Sequence, residues 1–217
     1  MADEIKQIPG SGKLFCLGLP KTGTTSLYRA LRALGYRAFH NPEPMWERLW
    51  NYEPFDGNWQ ATCHFGFWHF EYFERKWPNS RYIYLDREDR ATWLESTSGQ
   101  FLLPHVSART EKQTKVRLYT FQGRGFDEQH FRSVYERHKH LVADFFGNLG
   151  SEQSLVWDLT KNPDWEILCR FLREPAYPDA PFPHENFNKP MRDEAQRVAN
   201  DTGHPVIFTR TDDGNAG

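Results

Sequence analysis

Lys21, Thr22, Gly23, Thr24, Thr25 and Ser26 place one ammonium group and four hydroxyls around a single glycine. The hydroxyls are hydrogen-bond donors and the lysine is a point charge, a combination suited to holding an anion. A phosphate is the default guest. A second chemical centre is Arg87, which follows the apolar run RYIYLD at 81–86. Read alone, Arg87 could equally form a surface ion pair with Glu88 or Asp89, which would contribute little.

Such groups act together only if the chain positions them. Residues 14–17, LFCL, have the apolar character of a short buried strand. Leu27, Ala30, Leu31 and Leu34 follow at i, i+3, i+4 and i+7, the spacing of one helix face. Gly35 can take the left-handed conformation of a helix stop. The stretch GLPKTGTTSLYRALRALG, 18–35, is therefore read as strand end, glycine-containing loop and helix. That order aims backbone N–H groups and the positive end of the helix dipole at one point. In the nucleoside-triphosphate loop G-x-x-x-x-G-K-[ST] a lysine follows the second glycine. Here Gly18 and Gly23 meet the spacing, but Thr24 takes the lysine's place and Lys21 precedes the glycine. The usual ATP loop is absent.

PKTGTT, from Pro20 to Thr25, resembles the loop with which sulfotransferases hold the 5′ end of 3′-phosphoadenosine 5′-phosphosulfate, PAPS. The alternative is a lysine-bearing turn before an ordinary helix. The resemblance implies that Pro20, Lys21, Thr22, Gly23, Thr24 and Thr25 form the cofactor loop. The N–H groups and hydroxyls of 22–25 would hold the 5′-phosphate, and Lys21 would contact the transferring sulfuryl group and the bridging oxygen. It also implies that Arg87, at a second strand-to-helix junction, binds the 3′-phosphate together with a serine about two turns later. The family interval lands on Glu95, one residue short of Ser96, so Ser96 is carried over with an inserted residue between Arg87 and Trp93 to account for the offset. Both junctions fall at carboxyl ends of expected strands, where open α/β sheets build their crevices.

Further resemblances to sulfotransferase-like proteins are the helix YERHKHLVADFF, the element WEILCRFL and PFPHEN at 181–186. The likeness runs from about residue 12 to about 190. It implies a single α/β domain of P-loop type, three-layered, with a central parallel sheet flanked by helices. The expected organisation is a flexible N-terminus at 1–11, the domain at 12–199 and a loose tail at 200–217. An alcohol acceptor needs a general base, which the family commonly supplies as a histidine upstream of the second strand. His64, 23 residues before Arg87, is the first candidate. Its other reading is a capping or surface histidine, and Asp56, His69 and Glu71 stay open as alternatives. His138 lies on the apolar stripe of its helix and is read as a core residue rather than a ligand. The cofactor implied is PAPS, released as 3′,5′-ADP, with no metal. The acceptor is a small molecule or saccharide.

A formal net charge of −2 over 217 residues gives no general pull toward nucleic acid or an anionic membrane. The N-terminus lacks the apolar core of a signal peptide, and no run of about 18 apolar residues occurs. A cytoplasmic protein without nucleic-acid or membrane partners is the expectation. Cys16, Cys63 and Cys169 show neither metal spacing nor a disulfide framework. Residues 102–125 lack a clear period and carry Arg109, Lys112, Lys115, Arg117 and Arg124. They read as a mobile lid or acceptor loop, or simply as solvated charge. Two other functions remain open on sequence grounds. One is a small-molecule kinase with a degenerate loop and Asp86 on magnesium; the other is a non-catalytic nucleotide-binding protein.

Overall fold

The computed structural model describes residues 6–10, 12–50, 57–102, 111–123 and 125–184. Asp56, Arg109, Arg124 and the tail expected at 200–217 lie outside the described residues. In chain order the strands are β1 (Leu14–Cys16), β2 (Ala38–His40), β3 (Ala61–Cys63), β4 (Arg81–Leu85) and β5 (Ser154–Trp157). The helices are α1 (Thr24–Ala33), α2 (Glu43–Trp50), α3 (Phe70–Lys76), α4 (Arg90–Leu102), α5 (Glu111–Phe121), α6 (Glu128–Gly147) and α7 (Trp165–Leu172).

All five strands pair in parallel, in the order β2-β3-β1-β4-β5. Alternation of side chains along the strands separates two cores. Phe15, Tyr82 and Tyr84 point into one, with Trp46, Phe73, Trp93, Phe131 and Tyr135 from the helices on that side. Leu14, Cys16, Ile83 and Leu85 point into the other, against Leu27 and Leu31 of α1 and Leu168 and Leu172 of α7. The protein is thus a three-layer α/β fold, as the sequence led us to expect. Strands with both faces covered read as continuous apolar runs, which is why LFCL and RYIYL are legible. The rich aromatic content goes mainly into the first core, where the Phe15 ring stacks on Phe73 with centroids 4.3 Å apart.

One local expectation is corrected. Residues 111–121, placed in a structureless loop, form α5. Its first turn is polar and its last is packed, with Thr120 and Phe121 buried, so no single apolar face exists to be read. The helix α7 begins at Trp165 because Asp164 is the cap, its carboxylate accepting from the Glu166 N–H at 2.8 Å. On α6, Leu141 is 43% exposed, while Phe131, Val134, Tyr135, His138 and Val142 are buried. Within residues 6–10, Ile8 is buried and Lys6 pairs with Glu174 at 2.6 Å.

Candidate functional site

The chain leaves β1 at Cys16 and re-enters regular structure at Thr24, the first residue of α1. The turn between is held by its own groups. The Thr22 hydroxyl donates to the Leu19 carbonyl at 2.7 Å, and the Trp93 indole N–H donates to the Pro20 carbonyl at 2.9 Å. Lys21 and Gly23 both adopt left-handed φ, 70° and 97°. At Gly23 a side chain would be strained by that φ and would also meet Leu159, 2.8 Å away. Gly23 caps α1 without a side-chain bond, and the first turn of α1 has no acidic residue. Neither a cap side chain nor a first-turn carboxylate of α1 therefore competes with an anion at this helix N-terminus. Thr22 is a partial exception within the expected set, because its hydroxyl proton is already used in the turn and only its N–H can face an anion.

Arg87 follows β4, the neighbour of β1 in the sheet, and lies against this loop. Its guanidinium donates to the Lys21 carbonyl at 2.9 Å and to the Ser96 hydroxyl at 3.4 Å. Ser96 sits in α4 and is buried. Helical phase, not residue count, brings it onto Arg87, and this geometry favours Ser96 over Glu95. The turn bearing Arg87 is anchored from below. The Arg87 N–H donates to the Tyr135 hydroxyl at 2.7 Å, and that hydroxyl donates to Asp86 Oδ1 at 3.0 Å. Asp86 also pairs with Arg90 at 3.0 Å and with Lys139 at 2.7 Å. Burial alone would push the Asp86 carboxyl up, but Lys139, Arg90 and Tyr135 together hold it below the usual carboxylate range. Both of its oxygens are engaged by side chains of this network, which leaves the magnesium role considered for Asp86 without support from the geometry.

The base candidates separate in space. His64 follows β3 in a left-handed conformation, φ 57°, and is half-buried. Burial lowers its pKa to about 3, with His40 and Lys21 contributing. Its ring lies 5.3 Å from that of His40, whose Nε2 is 3.3 Å from the hydroxyls of both Thr24 and Thr25. His64 therefore stands beside the loop. His69 instead has its Nδ1 on the Tyr119 hydroxyl at 2.6 Å; the same hydroxyl accepts from the Trp68 N–H. Glu71 is exposed on the first turn of α3, 3.9 Å from Arg75. His138 is fully buried in the core, its Nε2 donating to the Phe67 carbonyl at 3.0 Å, and burial holds its pKa near 4. The sequence reading missed His40, Trp93, Tyr135 and Lys139 as parts of the site.

Residues 13–191 match the model of a family described as a sulfotransferase domain. The chain belongs to this sulfotransferase family. Membership carries sulfotransferase activity in general terms, and the loop, Arg87 and Ser96 all fall within the matched span. No curated protein matches the sequence significantly. Among the described residues of this sulfotransferase domain, no group of three or more His, Cys, Asp or Glu side chains could hold a metal ion, and no helix is long and apolar enough to cross a membrane.

Proposed function

We propose that the protein transfers a sulfuryl group from PAPS to a hydroxyl or amine of a small-molecule or saccharide acceptor. The observation that carries this reading is the bridge from the Arg87 guanidinium to the Lys21 carbonyl and the Ser96 hydroxyl. It supports a reading in which two donor sets, one from each strand-to-helix junction, act together on one ligand at the carboxyl ends of the strands. A nucleotide phosphorylated at both its 5′ and 3′ positions requires that pairing. A ligand with one chain of phosphates does not.

PAPS would supply an activated sulfuryl group whose leaving partner is a 5′-phosphate. The N–H groups at the start of α1 and the Thr24 and Thr25 hydroxyls would hold that phosphate, while Arg87 and Ser96 would hold the 3′-phosphate. Lys21 would place its ammonium against the oxygens on which charge grows during transfer, a preorganised electrostatic role. In-line transfer asks for position more than covalent help, as in phosphoryl transfer. His64 would take the acceptor proton as the acceptor oxygen bonds to sulfur and the bond to the leaving phosphate breaks. An imidazole whose pKa is near 3 in the free protein is a weak base. The negative charge of a bound donor beside it shifts that pKa upward, toward the working range. The bland counterparts of these roles, a surface ion pair for Arg87 and a capping histidine for His64, do not account for the convergence on one loop.

The test is turnover. The protein is incubated with PAPS and a panel of phenols, amines and saccharides, and 3′,5′-ADP release is followed. The expected result is acceptor-dependent release that falls on the order of 10²–10³-fold in Lys21→Ala, the scale for removing one preorganised charge-stabilising donor. Equal turnover by the variant would remove Lys21 from the mechanism.

A further inference from the structure

His40 is the one described imidazole whose ring nitrogen meets the phosphate loop directly. It ends β2, an edge strand separated from β1 by β3. It reaches the loop because α1 packs across β2 and β3. Its Nε2 lies 3.3 Å from Thr24 Oγ1 and 3.3 Å from Thr25 Oγ1. The ring is flanked by those of Tyr28 and His64, with centroids 5.8 Å and 5.3 Å away.

Resting on the reading that a phosphate sits before α1, we propose that His40 is a positioning residue for that anion. Its Nε2–H is shared between the Thr24 and Thr25 hydroxyl oxygens and turns both hydroxyl protons outward, toward the anion. Two equal, rather long distances suit one N–H bifurcated between two oxygens. A bare Nε2 lone pair would instead draw a hydroxyl proton inward and compete with the phosphate for it. Each hydroxyl, one donor with two lone pairs, can accept from the ring and still donate to the ligand. Burial lowers the His40 pKa to about 4, so at neutral pH the ring is uncharged and its tautomer decides which way the hydroxyls point. The first turn of α1 itself contributes no carboxylate to take those protons.

Nitrogen-15 imidazole spectra of the ligand-free full chain, with the His40 signals identified by their loss in His40→Gln, read the tautomer directly. Protonated Nε2 is expected, and a bare Nε2 overturns the inference. Calorimetric titration with 3′,5′-ADP provides the energetic arm. His40→Leu should weaken binding about tenfold, the loss expected when charge-assisted bonds are misaligned. His40→Gln, whose amide N–H can stand in for the imidazole, should recover most of it. In a Thr24→Val/Thr25→Val background, His40→Leu should change affinity less than about twofold, because the hydroxyls through which it acts are gone. Equal losses in both backgrounds overturn the inference. The tautomer is measured without ligand, so it decides the role of His40 even if the bisphosphate fails to bind; that failure would count against the cofactor reading instead.

Discussion

Tyr135→Phe removes one oxygen from beneath the proposed 3′-phosphate site and little else. The ring remains packed edge-on to Trp93, centroids 4.5 Å apart, and under the Arg90 guanidinium at 3.9 Å. Lost are the acceptor for the Arg87 N–H at 2.7 Å and the donor to Asp86 Oδ1 at 3.0 Å. Asp86 keeps its ion pairs with Arg90 and Lys139. Buried hydrogen bonds of this kind, one of them to a charged group, are worth about 1–3 kcal/mol when a single partner is deleted. For a domain of this size each kcal/mol lowers Tm by roughly 2–4 °C. A central value of about 2 kcal/mol therefore corresponds to roughly 4–8 °C. Part of that energy holds the turn that presents Arg87, so affinity for 3′,5′-ADP should also fall, by roughly three- to tenfold at about 1.4 kcal/mol per decade. Thermal unfolding followed by circular dichroism, with and without the bisphosphate, reads both effects. A variant that melts within about 1 °C of the parent and binds equally well would refute the idea that the Tyr135 hydroxyl supports Arg87.

Ser96→Ala should weaken bisphosphate binding by about three- to thirtyfold without lowering Tm by more than a few degrees, since its hydroxyl meets Arg87 at 3.4 Å in a position suited to a ligand. Glu95→Ala, the neighbouring residue, should leave binding unchanged, and calorimetry of the two variants checks the assignment. His138, fully buried with a pKa lowered to about 4, makes stability depend on pH. Its contribution is full above the unfolded value near 6.5 and is lost as pH falls toward 4, because the unfolded chain binds the proton more tightly. Urea unfolding of the parent between pH 7 and 4 should lose stability more steeply than His138→Phe, by up to about 3 kcal/mol at the acid end; parallel curves would contradict this.

Short-range pattern carried most of what was legible. The strand, loop and helix around Lys21 could be read because LFCL, the glycines and the Leu27–Leu34 spacing all lie within about two dozen residues. Gly35 does take positive φ, 88°, just past α1. Arg87 stood out through its place after RYIYLD. The gaps in the reading concern long range and phase. Nothing near His40 in the chain shows that α1 will lean across β3 and bring Thr24 and Thr25 to it. Ser96 was ambiguous as a residue count, yet in α4 its helical phase turns it to Arg87. Tyr135 and Lys139, one turn apart on α6, lie 49 and 53 residues from Asp86 in the chain, and only the packing of α6 beside β4 reveals it as their shared partner. The α5 helix was missed because its polar first turn and packed last turn lack a common apolar face.

The most direct measurement is calorimetric titration of the full chain with 3′,5′-ADP in EDTA, beside a titration with ATP and magnesium. Metal-free binding of the bisphosphate at one site, weakened roughly ten- to hundredfold in Arg87→Ala as one charge-assisted contact is lost, is the expected result. Absence of bisphosphate binding together with magnesium-dependent ATP binding would contradict the account and turn attention to phosphoryl transfer.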